Sequence, residues 1–205
     1  MTLPPCYSWS PVGENLTVPY EAPQGRRVNV IGGYFSDGPD AGTFCYAIYA
    51  SLPKSRYKTQ HKSPQAVAQA AGFAPSEVGA IDSERFLAFV WLLAGRPAIH
   101  LSDWKRSRPL WIVLDNYSVH KSAGVKAAQA DLEAAGVHLF YLPAYSPQLS
   151  DIEPIWQAVK HHEMQTRSHT ELKAMKQEVE RGLARKAETL RARHAETTTL
   201  LCAVA

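Results

Sequence analysis

The sequence predicts an α/β fold in which a mixed sheet is flanked by helices. Residues 27–35 alternate and are β-branched, residues 43–51 are apolar and aromatic, and turn-forming residues lie between them, which is typical of an antiparallel hairpin. Residues 110–142 hold two apolar runs on either side of an alanine-rich segment, a pattern that is typical of two strands joined by a helix. The expected order is therefore hairpin, helix, strand, helix, strand, helix.

The first half of the chain contains the predicted hairpin and one helix. Residues 1–27 are rich in proline and glycine and are expected to form an irregular lead-in. The hairpin strands are predicted over Arg27–Phe35 and Thr43–Ser51. Ser83–Leu93 places its apolar side chains on one helical face, and we expect Ser83 to cap this helix.

The second half contains the predicted strand pair and the last helices. The uninterrupted apolar run Leu110–Leu114 predicts a strand that is buried on both faces. A helix is expected over Ser122–Ala135, ended by Gly136, and it would make a right-handed crossover to a parallel strand over His138–Leu142. A C-terminal helical region is predicted from about residue 153 to residue 195. Its amphipathic part carries Leu172, Met175, Val179 and Leu183 at helical spacing.

Length and composition favour a single cytoplasmic domain. A chain of 205 residues, 45% of them hydrophobic, can bury one core of ordinary size. No run approaches the roughly 18 uncharged apolar residues of a membrane span, and the N-terminus lacks the basic and apolar segments of a signal peptide. The three cysteines are far apart and in no paired motif, which argues against a disulfide framework and a zinc site.

Two clusters of basic residues are candidates for contact with nucleic acid. The net charge of +3 does not by itself indicate such a partner, so the distribution of the charges matters more. For each cluster, contact with a phosphate backbone and a solvated loop both remain open. The candidate contacts are Lys54, Arg56 and Lys58 in one cluster and Lys105, Arg106 and Arg108 in the other.

Two carboxylates are placed where elements begin or end. Asp115 follows the apolar run directly, at the carboxyl end of a predicted strand, where ligands of open α/β sheets bind. Glu153 lies one helix and one strand further on, at a predicted helix start, and Asp151 precedes it. An Asx turn or a helix cap is the alternative role for Asp115. If the acids converge, oxygen donors without cysteine favour a hard ion such as Mg²⁺.

Three motifs at these positions resemble the catalytic core of the DDE transposases of bacterial insertion sequences in the mariner superfamily. Shorter segments at Trp9–Gly13 and Lys160–Glu163 also resemble that family. The three motifs are Asp115-Asn116 followed by His120-Lys121, then Leu142-Pro143-Ala144-Tyr145-Ser146-Pro147, and then Ile152-Glu153-Pro154-Ile155-Trp156.

The resemblance implies an RNase H-like fold in which a triad of acids holds two Mg²⁺ (or Mn²⁺) ions. One ion would activate water or a DNA 3′-hydroxyl for attack on a phosphodiester, and the other would stabilise the leaving oxygen. Asp115 matches the second acid of the family and Glu153 the third, so both are expected to be catalytic and to bind metal. The implied partner is DNA, at transposon ends and target, bound by a homodimer or larger assembly.

The first acid of the family has no counterpart here, because residues 1–13 contain no Asp or Glu. We therefore expect the first strand and its aspartate to lie upstream of Met1, so that this single domain is N-terminally incomplete and inactive or impaired as it stands. Two explanations remain open: the true start lies upstream, or the chain is a decayed remnant. The corresponding functions are a transposase catalytic domain, or a non-catalytic protein that binds DNA or pairs with a full-length transposase.

The remaining candidates surround the two acids. Asn116 is expected to hydrogen-bond Asp115 or a phosphate, with a turn-forming role as the alternative. Asp151 is expected to cap a helix rather than to bind metal, although it lies beside Glu153. His120 and Lys121 lie near a predicted helix start, where backbone amides favour phosphate, and are candidates for contact with DNA.

Overall fold

The structure is a computed structural model, and it describes residues 12–13, 27–52, 63–97, 104–144, 146–164 and 169–203. The strands are β1 (Arg27–Tyr34), β2 (Phe44–Ser51), β3 (Leu110–Leu114) and β4 (Val137–Tyr141). The α-helices are α1 (Pro64–Ala70), α2 (Ser83–Leu93), α3 (Ala123–Ala134), α4 (Glu153–Ala158) and α5 (Leu172–Ala203). Two short 3₁₀ turns occupy Pro75–Glu77 and Pro147–Leu149, and a π-helical turn occupies Val159–Glu163. No helix in these ranges is long and apolar enough to cross a membrane.

The strands form two small sheets, which corrects the prediction of one mixed sheet. Within the described ranges, β1 is hydrogen-bonded to β2 and β3 to β4, each pair forming a separate two-stranded sheet. The mixed α/β composition is confirmed, and so is the hairpin, whose turn is closed by Phe35 N–H donating to Thr43 O at 2.9 Å. The predicted lead-in lies outside the described residues, apart from residues 12, 13 and 27.

Contacts divide the chain into two compact units, and the prediction of one domain over residues 1–205 stays a prediction. The first unit takes the described residues within Met1–Asn29, Ile48–Ala80 and Gln157–Glu188. The second takes those within Val30–Ala47, Ile81–Trp156 and Thr189–Ala205.

In the second unit, β3 and β4 pair in parallel as predicted, from Leu110 opposite Val137 to Leu114 opposite Tyr141. The alternate residues of these strands pack with α2 and α3 into one core. Its buried members are Phe86, Val90, Ala94, Leu114, Val125, Leu132 and Val137.

The prediction that β3 is buried on both faces is wrong. Trp111 and Val113 lie on the face opposite the core, and they are 65% and 54% exposed. Trp111 is stacked on its cross-strand neighbour His138, with ring centroids 4.5 Å apart. An apolar run does not reveal whether anything covers its second face, because that depends on elements far away in the sequence.

The helices of the second unit begin and end near the predicted positions, with one different cap. Helix α2 is capped by Asp82, whose Oδ1 accepts from Arg85 N–H at 2.9 Å, so Ser83 is the first helical residue rather than the predicted cap. Helix α3 has the predicted cap Ser122. Gly136 follows α3 with a φ of +77°, which glycine adopts without strain, and its carbonyl accepts from the first residue of β3.

The first unit has its own core under α1 and the start of α5. The buried side chains are Ala50, Leu52, Val67, Ala68, Phe73 and Val78, and Leu172 of α5 packs against them. The predicted amphipathic pattern of α5 is confirmed by Val179 and Leu183, which are both buried. Lys176 Nζ lies 2.7 Å from Glu77 Oε1, and this ion pair links α5 to the 3₁₀ turn.

Candidate functional site

The carboxyl ends of β3 and β4 lie side by side and are tied together by two hydrogen bonds. Beyond the paired strands, Leu142 N–H donates to Leu114 O at 2.8 Å. The side-chain amide of Asn116 then donates to Leu142 O at 2.7 Å. Asn116 was predicted to contact Asp115 or a phosphate, whereas the structure gives its Nδ2 a carbonyl partner on the neighbouring segment. Asn116 therefore holds the segment that follows β4 against the segment that follows β3.

Asp115 lies at this edge, with its carboxylate directed away from the core. Its Oδ1 accepts from Tyr117 N–H at 3.0 Å, which is the Asx turn that the sequence left open, and it lies 2.9 Å from His120 Nδ1. The side chain is 64% exposed. Its Oδ2 has no hydrogen-bond partner within the described part of the chain, so one oxygen is held and the other is open to a ligand.

His120 lies behind Asp115 and is mostly buried, since only 18% of its side chain is exposed. Its ring packs against Phe86, with centroids 4.6 Å apart, and against the edge of Tyr117 at 5.8 Å. The backbone carbonyl of His120 accepts from Tyr141 Oη at 2.8 Å. Burial raises the pKa of the Tyr141 phenol, which keeps this donor protonated at neutral pH.

Glu153 is the first residue of α4, as predicted, and it is half-buried. The start of this helix is held from its apolar side, because Ile155 is buried and Trp156 packs edge-on to Phe44 at 5.6 Å. Trp156 also explains Gly32 of β1, since a Cβ at that position would lie 2.7 Å from the indole ring. Glu153 therefore lies on a helical turn whose position is fixed by packing.

Asp151 is exposed in the turn that precedes α4. Asp115 and Glu153 both belong to the second unit, and the sharing of one ion between them stays a prediction.

The residues at this edge suit a hard divalent cation by donor type. Asp115 offers an open carboxylate oxygen, and Mg²⁺ in proteins keeps several waters while binding one or two carboxylates together with substrate phosphates. Across the described ranges, no group of three or more His, Cys, Asp or Glu side chains could enclose a metal ion. The donor set thus fits an open site that water and a phosphate would complete.

The predicted basic contacts have different surroundings. Lys105 and Arg108 are exposed. Arg106 is half-buried, donates from Nη1 to Ala94 O and from Nε to Arg108 O at 3.1 Å, and so holds the end of α2. Lys121 is exposed, with Nζ 5.7 Å from the Tyr141 ring centroid. The other predicted contacts, Lys54, Arg56 and Lys58, lie outside the described residues.

Two contacts at the site were missed by sequence reasoning. The Asp115–His120 contact spans five residues across a turn and follows no helical or strand spacing. The Asn116–Leu142 contact joins residues that are 26 positions apart. The parallel register could have suggested the second contact, because it brings the two strand ends to the same edge.

Comparison with known proteins places both acids inside a matched family region. The DDE superfamily endonuclease family matches residues 72–176. The chain is also similar to the insertion element IS630 uncharacterized 39 kDa protein of Shigella sonnei, with 34% identity over 69 residues. That match covers 33% of this chain and 19% of the relative, so the chain spans only a small part of the relative's length. Because the family match extends over half of the sequence, the chain belongs to the DDE superfamily endonucleases.

Proposed function

We propose that this chain is the catalytic core of an insertion-sequence transposase, with an RNase H-like arrangement of its strands and helices. The observation that carries the proposal is the position of Asp115, at the carboxyl edge of a parallel strand pair with its side chain 64% exposed. The family match and the similarity to a protein of an insertion element support it. The substrate would be DNA, in the bacterial cytoplasm, where insertion sequences transpose.

In this proposal Asp115 and Glu153 bind a divalent ion, as the family's endonucleases generally require. The ion, Mg²⁺ or Mn²⁺, would supply activation of the attacking hydroxyl and stabilisation of the leaving oxygen. Asp115 contributes Oδ2, because Oδ1 already accepts from Tyr117 N–H and lies 2.9 Å from His120 Nδ1. Asn116 keeps the loop after β4 against the end of β3, and Asp151 adds negative charge beside Glu153.

Lys105, Arg108 and Lys121 are the proposed contacts to the DNA backbone, because all three are exposed basic side chains of the second unit. Arg106 and His120 share their segments, but they already hold protein partners. We also propose that the protein is a homodimer or larger assembly when it binds DNA, as a transposase that joins two ends requires.

A second candidate is a non-catalytic remnant that binds DNA or pairs with a full-length transposase. It is supported by the motif match, in which Asp115 and Glu153 correspond to only two of the three acids of the family, and two acids do not hold both metal ions. For that reason we expect the 205-residue chain to cleave DNA weakly or not at all in Mg²⁺. Robust strand cleavage by this chain would overturn that expectation and remove the remnant from consideration.

The metal site is tested by titrating Mn²⁺ into isotope-labelled protein and following paramagnetic broadening of backbone amide signals. We expect broadening at Tyr117 and at Glu153, and its loss in Asp115→Asn and Glu153→Gln. Asp131→Asn is the matched control, because Asp131 is an exposed acid on α3 of the same unit. Broadening that is unchanged in Asp115→Asn, or that is centred elsewhere, would overturn the assignment of the site.

DNA contact is tested by measuring the affinity for a duplex over a range of salt concentrations. Each lost phosphate contact should reduce the slope of log K against log salt by about 0.9. The double variant Lys105→Gln, Arg108→Gln should therefore reduce the slope by the amount expected for two lost contacts. Lys126→Gln, on the exposed side of α3, should leave the slope unchanged. Equal slopes in all three proteins would exclude Lys105 and Arg108 from the DNA interface.

A further inference from the structure

The contact between His120 and Asp115 is not explained by the turn that contains them. The Asx turn requires only the bond from Tyr117 N–H to Asp115 Oδ1. The imidazole Nδ1 lies 2.9 Å from the same oxygen and also makes a contact of 3.4 Å with the backbone carbonyl oxygen of Asp115. Both of these oxygens can accept hydrogen bonds, so the two contacts suit an Nδ1 that carries the hydrogen.

His120 is well suited to fix the position of another side chain, because its own position is fixed from three directions. Phe86 covers its ring at 4.6 Å, and Tyr117 contacts it edge-on at 5.8 Å. Tyr141 Oη holds its backbone carbonyl at 2.8 Å. A donor held in this way has little conformational freedom left to lose when it binds the carboxylate.

The two donors also determine which oxygen of Asp115 remains available. The torsion that rotates a carboxylate is broad and roughly two-fold, so a single donor leaves the plane of the group poorly fixed. Tyr117 N–H and His120 Nδ1–H approach the same oxygen from different atoms of the turn. The two contacts thereby hold Oδ1 within the turn, and the described residues give Oδ2 no hydrogen-bond partner.

We propose that His120 is a positioning residue for the metal site: its Nδ1–H orients Asp115 so that Oδ2 alone is presented to the divalent ion. The inference rests on the proposed function, in which Asp115 binds that ion. It gives His120 a role within the protein in place of the contact with DNA that the sequence suggested. Groups that orient a metal-binding side chain contribute about 10-fold to 100-fold to metal affinity.

The test compares two replacements of His120 by the dissociation constant for Mn²⁺ alone, measured without DNA. His120→Phe keeps an aromatic ring against Phe86 but removes the donor, and we expect Mn²⁺ binding about 10-fold weaker. His120→Asn places a side-chain N–H close to the position of Nδ1, and we expect it to restore most of the affinity. Thermal unfolding of each variant shows whether folding is retained.

Several outcomes would overturn the proposal. If Asp115→Asn weakens Mn²⁺ binding and His120→Phe does not, His120 does not position the carboxylate, while the proposed metal site stands. Failure of His120→Asn to recover affinity in a folded protein would exclude the hydrogen bond as the cause. If Asp115→Asn itself leaves Mn²⁺ binding unchanged, Asp115 does not bind the ion, and the proposed metal site is excluded together with the role of His120.

A measurement on the unaltered protein covers the case in which the variants do not fold. Long-range proton–nitrogen correlation spectra of the His120 ring distinguish a nitrogen that carries hydrogen from one that does not. We expect Nδ1 to carry it. A ring whose Nδ1 lacks a hydrogen cannot donate to Asp115 and would overturn the proposal.

Discussion

Replacing Asn116 with alanine should loosen the edge of the sheet that carries Asp115. The amide of Asn116 donates to Leu142 O at 2.7 Å, and Leu142 N–H donates to Leu114 O at 2.8 Å, so the two bonds act on the same residue. One such hydrogen bond contributes about 1 kcal/mol net, and about 1–3 kcal/mol is lost when a buried partner is left unsatisfied. Since Leu142 is buried, we expect the free energy of unfolding to fall by at least about 1 kcal/mol.

Hydrogen exchange of the Leu142 amide measures this effect at the site itself. A loss of about 1 kcal/mol in local opening energy should accelerate its exchange roughly five-fold. Asn29→Ala is the matched control, because Asn29 Nδ2 also donates to a backbone carbonyl, Gly79 O, at 2.7 Å and is part-buried. Both variants should lose similar global stability, but only Asn116→Ala should accelerate exchange at Leu142 beyond the global loss.

Two results would refute this reasoning. If the Leu142 amide exchanges at the same rate in Asn116→Ala as in the unaltered protein, the hydrogen bonds between β3 and β4 hold this edge without the Asn116 amide. Equal acceleration in Asn29→Ala would mean that Leu142 exchanges only through global unfolding.

Three further predictions concern stability and reactivity. The side chain of Lys176, followed by the N–H of Ala74, lowers the pKa of Glu77, so this pair stabilises the fold above the unfolded pKa of about 4.3 and loses its contribution as the pH falls through the lower folded pKa. The unfolding free energies of the unaltered protein and Glu77→Gln, measured in urea, should therefore converge in acid, from a difference below about 1 kcal/mol because the pair is partly exposed; a constant difference would contradict this. Leu132→Ala should cost about 2–5 kcal/mol in denaturant unfolding, since Leu132 is 1% exposed, and a loss below 1 kcal/mol would argue against its place in the core. Burial raises the pKa of the Cys45 thiol, so its peptide should react with iodoacetamide at pH 7 more slowly in the native protein than after denaturation, and equal labelling rates would refute that.

Elements that are specified by local signals could be predicted from the sequence. The hairpin strands, α2 and α3 were each placed within one residue of their observed ends. Turn chemistry, a serine cap and a glycine with positive φ act on the neighbouring backbone, so a short window of sequence contains their cause. The cap of α2 was misplaced by one residue because Asp82 and Ser83 are both good caps and adjacent.

The exposure of β3 and the pairing of the strands could not be predicted in the same way. Trp111 and Val113 are apolar, and a run of apolar residues is equally consistent with a strand covered on one face or on both. Which strands are hydrogen-bonded depends on backbone contacts between distant segments. The local pattern of each strand therefore does not predict that the described strands form two separate sheets.

At the site, sequence motifs located the acids but not the groups around them. Asp115 and Glu153 occupy the strand end and helix start that were predicted. The partners of Asp115 and Asn116 depend on the shape of a turn and on the register of two strands, and both are visible only in three dimensions.

The arrangement around Asp115 bears on the choice between a structural turn and a ligand site. A turn-forming aspartate needs one backbone donor, and Tyr117 supplies it. The contact of 2.9 Å with His120 Nδ1 is additional, and it comes from a mostly buried ring. If Asp115 served only the turn, this second donor would have little to add, since an exposed carboxylate is already solvated by water. Fixing an exposed carboxylate through one oxygen has a clear use when the other oxygen must meet an ion in a defined direction, which favours the ligand site.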